Sequence, residues 1–214
     1  MKYDEIIQTV KNERMEAAIA TAAALYLEKG IENVKMTDIA ERAQLGVASL
    51  YRYFGTKQRF TAKVGAYIWK QKLDELAPVY SSDSYLRKTG IQQVEALMGV
   101  FPLLLKEHPS FLRFLSEFDT FVVKEHISPQ DLSEYEQSIL NVMPLMERAV
   151  SKGIHDGTVK QGIDLSLFYF TVSHSLMNMS QKFARGIILN SDSALLNEKE
   201  LRLAIDMYVS YVRA

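Results

Sequence analysis

Residues 39–57 read "IAERAQLGVASLYRYFGTK", and two short helical stretches meet there across a break. The first spans about Met36 to Ala43 and ends at "QLG". The second covers Val47 to Phe54 and is closed by "GT". Leu50 and Phe54, four positions apart, share one face of the second stretch and anchor it on Ile39 and Ala40. On the other face Val47, Ala48 and Ser49 are small enough to let a partner approach the backbone. Tyr51, Arg52, Tyr53 and Lys57 follow at once, too many rings for a surface loop and too much charge for a core.

Two short helices joined by a tight turn, after a longer helix, form a helix-turn-helix scaffold. Its second helix suits a DNA major groove, about 12 Å wide, with the first residues toward base edges. In that geometry Val47 or Ala48 touches a thymine methyl and Ser49 donates or accepts. Tyr53 offers its hydroxyl to a phosphate, while Tyr51 lies between core and groove. Lys57 adds charge at a helix start, where backbone N–H groups already favour an anion.

Outward from this stretch the 3–4 residue apolar period continues, and the five prolines and ten glycines fall mostly between periodic segments. The expected fold is all-α. A first helix runs from Asp4 to Lys29, stopped by Gly30. A long helix from Lys57 to Ala77, roughly 30 Å at 1.5 Å per residue, ends at Pro78 and connects a small head to a larger body. In the body, helices are expected from about Tyr85 to Glu107, bent at Pro102, then from Pro109, and from the Ser128 cap to about Ile154. Asp164 caps a further one to about Ile188, and Asn197 with Glu200 has the spacing of a capping box for the last. The expected division is a head over 1–56, a connecting helix over 57–77 and a body over 78–214.

Bulk composition narrows the function classes. With 48% hydrophobic and 24% charged residues the chain reads as soluble and globular. The lack of cysteine removes disulfides, thiolate-bound zinc and thiol catalysis, and fits a reducing cytoplasm. No apolar run reaches the roughly 18–20 residues of a membrane span, and the charged start lacks the apolar segment of a secretion signal. The protein is expected to be cytoplasmic, with no membrane partner. His108, His126, His155 and His174 are isolated, and neither a nucleophile elbow nor a phosphate-binding glycine loop occurs. No catalytic residue, metal or cofactor is therefore expected. An all-helical enzyme using carboxylates such as Glu117, Asp119 and Glu147 is the alternative from a different class. Net charge is only −1, yet residues 35–63 carry six Lys/Arg against two acids, a local excess of +4. Such a block directs an anion to one end of the molecule.

The stretch 39–57, with the upstream "AAIATAAALYLEKGIENVKMTDIA", resembles the helix-turn-helix signature of the tetracycline-repressor (TetR/AcrR-type) family. The likeness covers about residues 10–64; beyond them only length, helical content and element order match. The resemblance implies a homodimeric repressor with a helical body that binds a small molecule and dimerises through its two C-terminal helices. Carried over by position, the DNA-facing residues are Val47, Ala48, Ser49, Tyr51, Tyr53 and Lys57, with Arg52 adjoining. Two positions depart from the pattern. Gln44 stands where a turn glycine is usual, so a left-handed backbone there costs about 1 kcal/mol. Lys35 replaces a capping Thr; it reaches phosphate but cannot cap, and Thr37 compensates in part.

In the body, residues 164–188 are apolar on two sides, so that helix needs two partners. Phe170, Ser173, Met177, Ser180 and Ala184 form the smaller-profiled side, expected to join Ile205 and Tyr208 of the last helix at a dimer interface. A central helix of a monomeric bundle has the same pattern. His174 and Asn178 lie on a third stripe, as polar anchors of an effector pocket or as a solvated edge. Phe114, Phe118 and Met143 are candidates to line that pocket, although such residues serve equally as core. The expected partners are double-stranded operator DNA, palindromic for a two-fold protein, a small-molecule effector and a second copy of the chain. A DNA-binding nucleoid module without an effector is the other reading that keeps the head.

Overall fold

The computed structural model of the protein describes residues 3–140, 142–186 and 194–214. These are helical almost throughout: α1 (Tyr3–Lys29), α2 (Met36–Arg42), α3 (Val47–Phe54), α4 (Lys57–Ser81), α5 (Asp83–Leu86), α6 (Gly90–Met98), α7 (Val100–Glu107), α8 (Pro109–Lys124), α9 (Pro129–Leu140), α10 (Met143–His155), α11 (Leu165–Ala184) and α12 (Ala194–Val212). Among the described residues no helix is long and apolar enough to cross a membrane. The helices gather into two compact units. Unit 1 takes Met1–Lys72 and Phe114–Ile139, and unit 2 takes Leu73–Arg113 and Leu140–Ala214. Helices α4 and α8, and α9 by its last residue, therefore contribute to both.

Unit 1 is the helix-turn-helix with the C-terminal part of α8 and most of α9 packed into it. Leu50, Phe54 and Phe60 are buried, with the last two rings 4.6 Å apart. Deeper in, Phe114 stacks on Tyr26 of α1 at 6.5 Å, and Phe118 lies 4.5 Å from the Tyr135 ring. Gly65 of α4 makes room for Phe118: a Cβ there would come within 2.9 Å of that ring. The Tyr26 hydroxyl, whose pKa burial pushes up to about 12, pairs with Thr61 at 3.0 Å.

A row of polar contacts joins α8 and α9 to the head. The Glu117 carboxylate accepts from the Ile31 N–H at 2.8 Å, just past Gly30 in the left-handed region (φ 82°). Lys124 reaches Glu32 at 2.8 Å, and Gln58 donates to Glu125 at 2.8 Å. Arg59 meets Asp131 at 3.0 Å, and Lys63 meets Glu134 at 2.9 Å.

Unit 2 is held mainly by volume. Val94, Met98, Ala149, Val150, Val159, Phe168, Val172, Leu176, Leu201, Ile205, Val209 and Val212 form one buried apolar cluster. Helices α6 and α10 meet at two glycines, where a Cβ on Gly90 would fall 2.0 Å from the Gly153 nitrogen. Asp156 closes this corner. Its carboxylate accepts from Gly90 N at 2.7 Å and from the Thr158 hydroxyl at 2.6 Å. The chain end is tied to the same turn, with Lys160 N donating to Val212 O at 2.9 Å.

Several helix boundaries differ from those expected. Helix α4 runs through Pro78 to Ser81. Pro78 falls in the last turn, where its missing N–H deprives only the exposed Asp74 carbonyl, and water can serve that group. The stretch 85–107 is divided among α5, α6 and α7 and broken at Gly99, while Pro102 sits in the first turn of α7, where no N–H is needed. The helix expected over 128–154 is two, α9 and α10. Ser128 caps the first as expected, accepting from Asp131 N at 3.2 Å. Helix α11 closes at Ala184, and Ile188 lies outside the described residues. Helix α12 opens at Ala194, which puts Asn197 and Glu200 inside it rather than at its cap.

Candidate nucleic-acid interface

Helix α2 starts from Lys35, whose backbone is extended (φ −95°, ψ 158°). An ammonium cannot accept a hydrogen bond, so the cap is closed from the other side. The Asp38 carboxylate accepts from Lys35 N at 2.9 Å, and Thr37 donates to it at 3.3 Å. That backbone bond is the main reason the Asp38 carboxyl is held below its ordinary value. Compensation for the missing capping Thr therefore comes chiefly from Asp38, with Thr37 in support. The turn to α3 passes through Gln44 at φ 55°, the left-handed residue that its position demands. Leu45 N donates to Ala40 O at 2.8 Å across it.

No side chain caps α3, which begins after Gly46. The first N–H groups of an uncapped helix have no intrahelical partner. Ala48 is exposed and Val47 and Ser49 half-buried around that start, while Leu50 and Phe54 face inward. Tyr51 is on the surface at 46% exposure, further out than the intermediate position expected for it. Arg52 lies over the Tyr53 ring at 5.3 Å and reaches Ser49 Oγ at 3.3 Å. Hydrogen bonding from Arg52, and then from Arg14 of α1, holds the Tyr53 phenol below its ordinary value. Lys57 is half-buried, and its ammonium donates to the Val34 carbonyl at 2.9 Å.

Salt bridges sort the basic block. Arg42 pairs with Glu28, Arg59 with Asp131 and Lys63 with Glu134. Lys35, Arg52 and Lys57 have no carboxylate ion-pair partner among the described residues. These three belong to the DNA-facing set read from the sequence. The paired three fasten the head internally. Arg14 is the residue that reading missed. It lies 39 positions before Tyr53, and no local pattern links the two.

The other candidates do not gather into one site. Phe114 and Phe118 are 1% exposed and pack within unit 1 against Tyr26, Gly65 and Tyr135. Met143 is partly buried against the unit 2 cluster. His174 and Asn178 are exposed on α11, where Asn178 donates to the His174 carbonyl at 2.8 Å. Ser180, Ala184 and Ile205 are buried within the protomer, with the Ser180 hydroxyl donating to Leu176 O at 2.7 Å. Ser173, Met177 and Tyr208 are half-buried, and Phe170 is exposed. The exposed large apolar residues of α11 and α12 are Leu167, Phe170, Leu196, Leu203, Met207 and Tyr211. Among the described residues no three His, Asp or Glu side chains gather as a metal site.

Residues 18–62 match the family described as "Bacterial regulatory proteins, tetR family". None of the curated proteins matches the chain in sequence. Solved structures share the fold over nearly the whole length. A TetR transcription regulator from Haloarcula marismortui ATCC 43049 is 16% identical, with 95% of this chain and 100% of that chain covered at a TM-score of 0.67. FadR of Bacillus subtilis, solved with stearoyl-CoA, is 13% identical, with 92% and 98% covered at a TM-score of 0.63. The ketosteroid transcriptional regulator KstR2 of Mycobacterium tuberculosis is 14% identical, with 94% and 95% covered at a TM-score of 0.57.

Proposed function

Residues 18–62 make this chain a member of the tetR family of bacterial regulatory proteins, and from that premise we propose a homodimeric repressor released from its operator by a small apolar molecule. A DNA-binding transcriptional regulator is the function its head carries. The observation that supports the detailed reading best is the start of α3. It is uncapped, small-sided at Val47, Ala48 and Ser49, and flanked by Lys35, Arg52 and Lys57, none held by a carboxylate. Small residues at a helix start let the backbone enter a major groove, and the flanking cations meet phosphates.

A two-fold dimer sets two such helices on half-sites about 34–36 Å apart or somewhat more. Its interface is the outward apolar row of α11 and α12, in which Leu203 and Met207 are 62% and 65% exposed. Large side chains in such a row favour burial against a second copy. The effector belongs in unit 2, where Phe101, Leu105, Met143, Met179 and Phe183 are partly buried against the core. An apolar class suits such neighbours, and the structural relative from B. subtilis was solved in complex with stearoyl-CoA. To release DNA the effector must prefer the released state, by about 1–3 kcal/mol for a typical coupling.

Binding-site selection from a random duplex pool tests the reading. The expected product is a palindromic site whose sequence changes when Ser49 is replaced by Ala. Retention of all duplexes alike would make the protein an architectural module instead. Sedimentation of Leu203→Glu and Met207→Glu should show monomers, and dimers in both would place the interface elsewhere.

A further inference from the structure

The peptide unit joining Val34 to Lys35 is held at both ends. Its carbonyl oxygen, on Val34, accepts from the Lys57 ammonium at 2.9 Å, and its N–H, on Lys35, donates to the Asp38 carboxylate at 2.9 Å. A peptide is planar, so two such contacts fix its orientation. Lys35 is the residue from which α2 starts, and Lys57 is the first of α4. The contact spans 23 positions and joins the two ends of the helix-turn-helix, enclosing α2, the turn at Gln44 and α3. Val34 is 1% exposed and Lys57 half-buried, so the tie lies at the edge of the head's core. A cation is disfavoured at a helix N-terminus, where the backbone dipole is positive. At the start of α4 the Val34 carbonyl supplies an acceptor that offsets this.

We propose that Lys57 is a positioning residue, a clasp that closes the helix-turn-helix into a ring and so sets the tilt of α2 and α3 toward DNA. The clasp rests on the reading of the protein as a DNA-binding regulator, and it is separate from the phosphate contact expected of Lys57. An ammonium carries three N–H donors, so one can stay on Val34 while others face a phosphate. Closing a loop restricts the enclosed segment before DNA arrives, and a segment already ordered loses less entropy on binding. Within the ring, Asp38 holds the start of α2 and Leu45 N holds Ala40 O across the turn. Lys57 joins its ends.

The test uses the full chain in two arms. In the free protein, amide hydrogen exchange at Lys35, Asp38 and Ile39, whose N–H groups form the first bonds of α2, should be about tenfold faster in Lys57→Met than in the parent. Exchange at Val172 and Leu176 of unit 2 should not change. In the second arm, affinity for a duplex obtained by binding-site selection is measured against salt and extrapolated to about 1 M, where counterion release no longer contributes. Loss of a phosphate contact alone makes the slope shallower by about 0.9 and leaves the extrapolated affinity at the parent's. Loss of the clasp leaves Lys57→Met about tenfold weaker after extrapolation as well. Lys57→Arg, which keeps charge and donors, should recover both the exchange protection and the extrapolated affinity. Unchanged exchange in Lys57→Met overturns the clasp, and so does an extrapolated affinity equal to the parent's. A parent chain that retains no duplex overturns the DNA-binding reading instead, and the exchange arm then decides the clasp by itself. Circular dichroism of each variant verifies that the helices are intact.

Discussion

Units 1 and 2 are both helical, yet they are held in different ways. In unit 1, segments far apart in sequence are joined by directional polar contacts: Glu117 to Ile31 N, Lys124 to Glu32, Gln58 to Glu125 and Arg59 to Asp131. In unit 2, the long-range contacts are mostly apolar, with polar ones at the Asp156 corner, from Lys152 to Leu86 O and from Arg113 to Ala184 O. Directional contacts fix orientation, whereas apolar packing fixes volume and tolerates some repacking. A head that must present α3 to a rigid duplex needs the first kind. The body, for which we propose an apolar effector, is better served by the second. The exposed ion pairs add little to stability individually, so their use in unit 1 is geometric.

The largest effect expected from this contrast is in unit 2. Gly90→Ala puts a methyl 2.0 Å from the backbone nitrogen of Gly153, and backbone cannot step aside as a side chain does. A loss of about 3 kcal/mol is expected, at the upper end of overpacking costs. Calorimetry should show it as a lowered transition with DNA affinity at low temperature largely kept. Equal loss of DNA affinity would mean that the two units do not differ as described.

Glu117→Ala should cost less and act on the head. It leaves the Ile31 N–H without its acceptor at the entrance to α2, a loss of about 1–3 kcal/mol for a buried donor. DNA affinity should fall together with stability, and an affinity unmoved by the substitution would remove the orienting role of α8. Gln44→Gly is expected to stabilise by about 1 kcal/mol, because φ 55° strains every residue with a Cβ. A chemical denaturation midpoint that does not rise would show that the Gln44 side chain offsets the strain.

The mildest expected effect is a pH response of unit 2. Hydrogen bonding from Thr158, followed by that from Gly90 N, holds the Asp156 carboxyl below its ordinary value. A depressed carboxyl contributes stability that is present above the unfolded value of about 3.9 and lost as pH falls through the folded one. Thermal melts of the parent chain should therefore drop more steeply below about pH 4 than those of Asp156→Asn. Parallel curves would sever Asp156 from the acid response.

Local sequence determined most of the head: the 3.6-residue period of α1, the break between α2 and α3, the inward Leu50 and Phe54, and the left-handed turn at Gln44. Each depends on residues within a few positions of one another, where backbone sterics and helix spacing act directly. Helix ends in the body were less legible, because Pro78 and Asn197 signal a stop or a start that neighbouring packing overrides. Tertiary structure alone decided which partner each apolar face meets. A two-sided helix such as α11 shows that two faces are buried without saying against what, so Ser180 and Ala184 turn inward and Leu167 and Phe170 outward. It also sent Phe114 and Phe118 into the head's core and brought Glu117 to Ile31 across 86 positions. Periodicity records that a face is apolar or charged, and only the folded chain can pair faces that lie far apart in sequence.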